Sequence, residues 1–293
     1  MKVGVYSRGL EPEQHKDIQL FFDELAREDI KPVVYAPFHH EIKEFISLPK
    51  NAERFSSPEE LGEDIEFIIS LGGDGTILDT ATIVGGKNIP VAGINFGRLG
   101  FLASIGREEL SSAIKAFAQR SVIIDKRVLI HLDASLPMFG DTPFALNEFA
   151  IHKRDTSPMI KIHTYLNGEL LNTYWADGLI VASPTGSTGY NLSCQGPIVF
   201  PDSGSFVITP IAPHHLNVRP IVVPDTSIIS FEVESRSDEV IVALDSRREI
   251  VNKNIQLAVR KEAFKMKLVR LNENNFLQTL RNKLSWGVDK RNQ

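Results

Sequence analysis

Apolar and polar positions in the first 120 residues follow two alternating periods. Short apolar runs, typical of buried strands, are each followed by a segment whose apolar residues recur at helical spacing. The predicted strands are Lys2–Tyr6, Pro32–Ala36, Ile65–Ser70 and Ile89–Ile94. The predicted helices are one that Pro12 opens, then Glu41–Leu48, Thr76–Val84 and Glu108–Gln119. This alternation predicts a parallel sheet with helices on both of its faces.

The pattern changes near Ser121, where strand-like pieces follow one another without intervening helices. They are Val122–Ile124, Val128–Leu132, Ala145–His152, Ile160–Leu166, Glu169–Trp175, Leu179–Ala182, Phe206–Thr209, Ile228–Glu234, Val240–Leu244 and Ile255–Val259. Asn167-Gly168 between two of these pieces predicts a hairpin. A helical period returns over Asn275–Leu284, and we expect this helix to pack back onto the first domain. The prediction is an α/β domain with a parallel sheet, residues 1–125 with 272–293, and a mainly β domain, residues 126–271.

A glycine turn that carries one carboxylate follows the strand at Ile65–Ser70. The run Leu71-Gly72-Gly73-Asp74-Gly75-Thr76 lies at the carboxyl end of that strand, where open α/β sheets bind ligands. Glycines let backbone N–H groups approach an anion closely, and the start of the next helix adds a favourable dipole. Asp74 would repel a phosphate, so we interpret it as a base for a hydroxyl or as an indirect metal contact. The alternative is a simple strand-to-helix connection with Asp74 as the N-cap.

Two polar stretches of the second domain suit a nucleotide. The loop Ser183–Ser193 offers hydroxyl and amide groups for ring nitrogens or phosphates, and Tyr190 can cover an aromatic or ribose face. Asn147 and Glu148 place an amide and an acid in an apolar segment, where a ribose diol would give both a partner. The alternatives are a turn-rich connection with Tyr190 in the core, and an edge strand whose polar residues face solvent.

Composition and charge exclude several classes of protein. A chain of 293 residues with 42% hydrophobic residues suits one large or two ordinary domains. The net charge of −5 gives no global basic field that would attract nucleic acid or an anionic membrane, and no apolar stretch approaches the roughly 18 residues of a membrane span. The single cysteine, Cys194, excludes an intrachain disulfide and fits a reducing compartment, so we expect a cytoplasmic protein. His214-His215 lack neighbouring acids and are interpreted as ordinary loop residues.

An ordered set of motifs resembles the NAD kinase family. The motifs are Gly72–Thr76, Asn95–Leu102, Asn147-Glu148, Asp177-Gly178 and Pro184–Tyr190, extended by Ala212, Asn217–Pro220 and Leu280–Lys283. The resemblance implies an α/β domain and a mainly β domain with the active site in the cleft between them, and a homo-oligomer, either a dimer or a tetramer. It also implies that ATP and a divalent cation, Mg²⁺, phosphorylate the 2′-hydroxyl of the adenosine ribose of NAD, which gives NADP and ADP.

The same resemblance implies roles for individual residues, none of them a direct metal ligand. Asp74 corresponds to the proton acceptor and Gly75 to its nucleotide-binding neighbour. Asn147 and Glu148 correspond to the ribose-binding pair, and Asp177 to the acid at the nicotinamide end. The remaining dinucleotide-contacting positions are Thr188, Gly189, Tyr190, Asn191, Leu192, Ser193 and Ala212.

The sequence departs from the family pattern at two positions. Gly189 stands where alanine is common, and Trp175 stands where many relatives carry a basic side chain. The Trp175 ring could stack on nicotinamide, but it cannot neutralise a phosphate.

Two other functions remain open at this point. Diacylglycerol-type kinases also use a Gly-Gly-Asp-Gly-Thr turn, so a lipid or sugar kinase is the first alternative. The Asn147-Glu148 pair and the loop Thr188–Ser193 favour a nucleotide acceptor instead. The second alternative is a non-catalytic NAD(P)-binding sensor, against which the presence of Asp74 argues.

Overall fold

Parallel strands build the sheet of the first part of the chain. They are β1 (Lys2–Tyr6), β2 (Lys31–Tyr35), β3 (Glu53–Phe55), β4 (Ile65–Leu71) and β5 (Val91–Asn95), with the short β6 (Ile105–Gly106) beside the end of β5. Their order is β5-β4-β1-β2-β3. Because β2 and β4 flank β1, the chain first runs outward on one side of β1 and then returns to the other. The topological switch point of the sheet therefore lies between β1 and β4.

Helices cover this sheet. The helices among the described residues are α1 (His15–Arg27), α2 (Ala36–Ile42), α3 (Asp74–Val84), α4 (Leu110–Ala118), α5 (Tyr190–Ser193) and α6 (Phe276–Leu284), and α5 belongs to the mainly β part of the chain. Short 3-10 turns lie at Pro12–Gln14, Pro58–Glu60, Arg107–Glu109 and Thr185–Thr188. In α1 the residues Ile18, Phe21, Phe22 and Leu25 are fully buried, which confirms the apolar face predicted for that helix. No helix among the described residues is long and apolar enough to cross a membrane.

Antiparallel strands dominate the rest of the chain. They are β7 (Ile123–Ala134), β8 (Phe144–Ala145), β9 (Glu148–Lys153), β10 (Ile160–Leu166), β11 (Glu169–Ala176), β12 (Gly178–Ala182), β13 (Ser205–Ile211), β14 (Ile221–Pro224), β15 (Ile229–Glu234), β16 (Glu239–Leu244), β17 (Arg247–Asn252) and β18 (Leu257–Arg270). One sheet has the order β14-β13-β12-β9-β16-β17, and β11, β10, β15 and β18 follow one another in a second. Side chains of both sheets share one core, in which the rings of Phe149 and Phe231 stack at 5.2 Å.

The computed structural model describes residues 1–9, 11–154, 158–271 and 276–286. The chain divides into two units, Met1–Lys126 with Met266–Gln293, and Arg127–Lys265. The last part of β18 belongs to the first unit, where Leu268 lies opposite Val91 of β5. The predicted combination of an α/β part, a mainly β part and a C-terminal helix is confirmed.

Most predicted elements are present, and the hairpin is among the clearest. Asn167 and Gly168 connect β10 and β11 with φ angles of 51° and 86°, as a two-residue turn with two left-handed positions requires. The predicted helix over Glu41–Leu48 is wrong in its bounds, because α2 begins at Ala36 and ends at Ile42. Pro37, in the first turn of α2, is the start signal that the prediction passed over.

Four strand predictions also need correction. The predicted pieces Val122–Ile124 and Val128–Leu132 fall, except for Val122, in one continuous strand, β7, and Ile255–Val259 overlaps the start of the 14-residue β18. The piece Ala145–His152 is interrupted, because β8 ends at Ala145 and β9 begins at Glu148. Asn147 therefore lies in the connection before β9, and Glu148 is the first residue of that strand.

Candidate functional site

The glycine turn between β4 and α3 fixes the position of Asp74 in the first unit. Gly72 has a φ of 147°, and a Cβ atom there would lie 2.4 Å from Thr76 Oγ1, so this position requires glycine. Gly73 is the N-cap of α3 and Asp74 is the first residue of the helix. The alternative interpretation of Asp74 as the N-cap is therefore wrong, and its side chain finds partners elsewhere.

Backbone N–H groups of the loop after β5 hold the Asp74 carboxylate. Among the described residues, three consecutive N–H groups donate to it, from Phe101 to Oδ2 at 2.8 Å and from Leu102 and Ala103 to Oδ1 at 3.0 and 2.9 Å. A Cβ atom on Gly100 would lie 1.7 Å from Asp74 Oδ1, so only glycine permits this approach. A carboxylate offers about four acceptor positions, which leaves Asp74 with capacity for about one more hydrogen bond. The carboxylate is thus held in one orientation and can still accept a hydroxyl proton donor.

In the second unit, Asp245 shapes the connection that carries Asn147 and Glu148. Its carboxylate accepts hydrogen bonds from the N–H groups of Leu146, Asn147 and Glu148 at 2.8, 2.8 and 3.1 Å. β9 pairs with β12 on one side and with β16 on the other, so the alternative of an edge strand is wrong. The sequence interpretation missed Asp245. The available signal was an acid directly after the apolar run Val240–Leu244, comparable with Asp74, which follows β4 after two glycines.

One oxygen atom of Asn147 and one of Glu148 lack a partner. Asn147 Oδ1 and Glu148 Oε2 are buried without a hydrogen bond to any residue that the structure describes. Leaving such an atom unsatisfied costs about 1–3 kcal/mol, so a ligand hydroxyl at these atoms would be stabilised. A Cβ atom on Gly189 would lie 3.1 Å from Glu148 Oε2, and the glycine leaves this space open.

The Glu148 carboxyl group is more easily protonated than an ordinary glutamate. Burial raises its pKa to about 8, the nearby Asp245 adds to the rise, and a hydrogen bond from the Tyr190 backbone opposes it. Burial likewise raises the pKa of Asp245, while the backbone N–H groups that donate to its carboxylate act in the other direction. Two acids in one desolvated place are typical of sites that bind a polar ligand.

A cavity of about 580 Å³ in the second unit brings several predicted residues together. Its lining includes Glu148, Asp177, Tyr190, Lys153, Arg247 and Arg248. Lys153 Nζ lies 2.8 Å from Asp177 Oδ1, and the Tyr190 ring stacks on His152 with a centroid distance of 5.8 Å. Flat rings, cations and an acid in one concave place suit a ligand that has both aromatic and anionic parts.

The loop beside this cavity folds as a 3-10 turn, Thr185–Thr188, followed by α5. Asn191 is fully buried, and its amide donates to the carbonyl oxygens of Ser187 and Pro197, both at 3.0 Å. Its Oδ1 accepts from Thr209 Oγ1 at 2.6 Å, so this side chain holds the loop in place.

The other predicted residues of the loop are more accessible. Tyr190 is 38% exposed, so the alternative that places it in the core is wrong. Ser193 is exposed, while Thr188, Gly189 and Leu192 are half-buried.

Trp175 and Ala212 do not line the cavity that contains Glu148. Trp175 is 43% exposed and lines a separate cavity of about 550 Å³, where Lys161 Nζ lies 4.9 Å from its ring centroid. The rings of His214 and His215 lie 6.3 and 6.1 Å from the Trp175 ring. Ala212 is exposed and has a φ of 44°. Within the described ranges no group of three or more His, Cys, Asp or Glu residues could hold a metal ion.

Family models match most of the chain. The model of the ATP-NAD kinase N-terminal domain matches residues 25–122, and the model of the ATP-NAD kinase C-terminal domain matches residues 146–271.

Curated relatives and solved structures agree with these matches. The chain is 53% identical over 247 residues to an NAD kinase of Cytophaga hutchinsonii, with 84% of each chain covered. It is 42% identical over 294 residues to an NAD kinase of Flavobacterium psychrophilum, with 100% of each chain covered. An Archaeoglobus fulgidus NAD kinase in complex with ATP aligns with a TM-score of 0.76 and 27% identity over 98% of this chain and 100% of that one. Yeast NADH kinase complexed with NADH shares the fold, with a TM-score of 0.87 and 22% identity over 100% of this chain and 90% of that one.

Proposed function

The chain belongs to the ATP-NAD kinase family, and we propose that it transfers the γ-phosphoryl group of ATP to the 2′-hydroxyl of the adenosine ribose of NAD. In this reaction the 2′-oxygen forms a bond to the γ-phosphorus, and the bond between that phosphorus and the bridging oxygen of ADP breaks. The products are NADP and ADP.

The pair of unsatisfied oxygen atoms at Asn147 and Glu148 carries the proposal. NAD carries ribose hydroxyl groups besides the reacting 2′-hydroxyl, and each of them can donate to one acceptor. Asn147 Oδ1 and Glu148 Oε2 are acceptors of this kind, and both are buried in the described structure without a partner. We assign these two residues to the ribose of NAD.

We assign Asp74 as the base that accepts the proton of the 2′-hydroxyl. Phosphoryl transfer depends mainly on positioning and on electrostatic stabilisation, and a positioned base adds to these effects. The N–H groups of Phe101, Leu102 and Ala103 support this role because they fix the carboxylate without using all of its acceptor positions. Gly75, directly after Asp74, is assigned to nucleotide binding.

The remaining predicted residues are assigned to the dinucleotide. Asp177 would contact the nicotinamide end. For a direct contact, its ion pair with Lys153 would have to open, or Asp177 would have to accept hydrogen bonds from Lys153 and from the ligand at the same time. Thr188, Gly189, Tyr190, Leu192, Ser193 and Ala212 would surround the adenine and the ribose. Asn191 would act through the shape of the loop, since its amide is engaged inside the fold. In this proposal the Trp175 ring stacks on the nicotinamide ring.

A divalent cation, Mg²⁺, is part of the proposed reaction. Mg²⁺ is usually held by one or two carboxylates together with substrate phosphates, and it neutralises charge on those phosphates. In this proposal the cation arrives with the phosphates of ATP.

We also propose a cytoplasmic homo-oligomer, a dimer or a tetramer. The β-rich second unit has sheet edges at β14 and β17, and an uncovered edge favours pairing with another chain. Light scattering should return a multiple of 32.7 kDa, and a clean monomer at micromolar concentration would contradict this.

The test is a direct assay of purified protein with ATP, Mg²⁺ and NAD, read out as NADP by mass spectrometry. We expect NADP and ADP in equal amounts. A folded preparation that makes no NADP would contradict the proposal. Product from diacylglycerol but not from NAD would indicate a lipid kinase, and NAD binding without turnover would indicate a sensor.

A further inference from the structure

Arg8 lies at the topological switch point of the parallel sheet. It follows β1 by two residues, and the glycine turn follows β4, the strand that pairs with β1 in parallel. The carboxyl ends of these two strands therefore bring Arg8 and the glycine turn to the same edge of the sheet. In open α/β sheets this crevice is where ligands bind.

Asp79 of α3 holds the Arg8 guanidinium in one orientation. Arg8 Nε and Nη2 donate to the two carboxylate oxygens of Asp79, the second of them at 2.6 Å. The hydroxyl of Tyr6 donates to Asp79 Oδ2 at 3.2 Å. A pair in which two parallel N–H groups meet two oxygens fixes the plane of the guanidinium as well as its position.

The third nitrogen of the guanidinium, Arg8 Nη1, points at the glycine turn. It lies 3.1 Å from the position that a Cβ atom on Gly75 would occupy. In the part of the chain that the structure describes, Nη1 has no hydrogen-bond partner, and the Arg8 side chain is 49% exposed. Two N–H donors are therefore oriented over the turn and remain available.

We propose that Arg8 binds the phosphate chain of the ATP donor through Nη1. The inference rests on the proposed function and adds a donor-binding residue to it. A guanidinium with free N–H groups suits phosphate oxygens, and the missing Cβ of Gly75 lets a phosphate approach both the guanidinium and the backbone. The donor is favoured over the dinucleotide because the cavity of the second unit has its own cations, Lys153, Arg247 and Arg248.

This assignment explains why an acid, Asp79, is present so near a phosphate. Because Asp79 accepts hydrogen bonds from Nε and Nη2 of Arg8, the remaining nitrogen, Nη1, is the one that faces a ligand. Asp79 is thus a positioning residue, and Tyr6 in turn supports Asp79. Asp79→Asn should weaken donor binding less than Arg8→Ala does, because the cation remains and only its orientation is lost.

The test measures binding of a non-hydrolysable ATP analogue with Mg²⁺ to the full chain by calorimetry. We expect Arg8→Ala to weaken the analogue at least about tenfold and Arg8→Lys to restore part of that loss. The matched control is Arg120→Ala. Arg120 makes the same two-point contact with Glu66, at 2.9 and 3.0 Å, and is 63% exposed in the same unit. We expect the control to bind the analogue within about twofold of wild type.

Kinetics and NAD binding separate the possible outcomes. The KM for ATP should rise in Arg8→Ala while NAD affinity, measured by calorimetry, stays unchanged. An unchanged analogue affinity in a variant that melts like wild type would overturn the proposal, and so would an equal loss in Arg120→Ala. A loss confined to NAD would also overturn it, because Arg8 would then serve the acceptor.

A second variant and a comparison with turnover separate a folding defect and a failure of the proposed function from a lost contact of Arg8. Arg8→Gln gives a second variant in case Arg8→Ala does not fold, and the same tenfold loss is expected from it. If wild type binds the analogue but makes no NADP, the proposed function fails while the measurement on Arg8 still decides the donor contact.

Discussion

The two acids assigned to the ribose of NAD differ in where their hydrogen bonds come from. Asp74, in the first unit, accepts N–H groups of Phe101, Leu102 and Ala103 on both of its oxygens. Glu148, in the second unit, has a buried Oε2 that no described residue satisfies. An acid that the fold satisfies keeps its orientation whether or not substrate is bound. An unsatisfied acid raises the free energy of the empty protein, and a ligand that hydrogen-bonds it recovers this cost.

The comparison leads to different expectations for the two acids. Replacing Asp74 should change the rate of turnover much more than it changes NAD affinity. Replacing Glu148 should change NAD affinity.

The largest effect is expected from Asp74→Asn. An amide cannot take the ribose proton, so we expect turnover to fall roughly a hundredfold to ten-thousandfold while NAD affinity survives. The amide nitrogen would also face an N–H group, and one lost hydrogen bond costs about 1–3 kcal/mol of unfolding free energy. A turnover assay beside NAD calorimetry and a thermal melt measures all three effects. Turnover within about tenfold of wild type would remove Asp74 from the mechanism.

Gly100→Ala tests whether orientation is what Asp74 needs. Its Cβ would lie 1.7 Å from Asp74 Oδ1, so the carboxylate or the loop must move. A displacement of about 1 Å can cost about a hundredfold in rate, and we expect a loss of this order in kcat. Gly97→Ala is the control in the same loop, because its nearest contact, Asn95 Oδ1, would be at an ordinary 3.5 Å. Equal kcat values for the two variants would show that the loop does not position Asp74 for catalysis.

Glu148→Ala tests the unsatisfied acid. We expect NAD affinity to fall by about 1–3 kcal/mol, because the ribose hydroxyl loses an acceptor that is already desolvated. Asp238→Ala is the control, since Asp238 is an acid of the same unit with a side chain that is 84% exposed. Calorimetry with NAD measures both variants. Unchanged NAD affinity in Glu148→Ala would mean that this acid does not contact the ribose.

The smallest effect is the dependence of stability on pH. The pKa of Glu148 is about 8 in the folded protein, above its ordinary value of 4.5. Between these values the folded state binds more protons than the unfolded state, so the free energy of unfolding falls as pH rises. The slope is at most about 1.4 kcal/mol per pH unit, and the partial exposure of Glu148 makes it smaller. Urea unfolding between about pH 5 and pH 8 should show this fall in wild type and a flatter profile in Glu148→Gln. Parallel profiles would contradict the raised pKa.

The sequence could predict those parts of the fold that neighbouring residues determine. The hairpin at Asn167-Gly168 and the strand Lys2–Tyr6 depend on neighbouring residues, and both are confirmed. Of the strands that the sequence interpretation missed, β3, β14 and β17 stand at the ends of their strand orders, and the fourth, β6, has only two residues. An edge strand is covered by fewer neighbours, so it needs a weaker apolar pattern. In β17, for example, every residue is exposed or half-buried.

The partners of the site residues could not be predicted because they are distant along the chain. Asp74 stands out in the sequence as an acid among glycines, but the N–H groups that hold it come 27–29 residues later. Asp245 reaches the backbone around Asn147 across 97–99 residues. The bidentate contact of Arg8 with Asp79 spans 71 residues. The spacing of residues along the chain named Asp74 as a candidate but neither Asp245 nor Arg8, and only the tertiary fold decides which atoms remain available for a ligand.

The strand β18 has a consequence for how the protein is made on the ribosome. Val91 of β5 pairs with Leu268, so the first unit needs a segment that is translated after the whole second unit. At roughly 5–20 residues per second, the ribosome needs about 7–30 seconds to translate the residues between the two parts. During that time this part of β5 is an open strand edge on the nascent chain, of the kind that other chains can pair with. A chaperone that delays release until the C-terminus has emerged would shorten the exposure of this edge to other nascent chains.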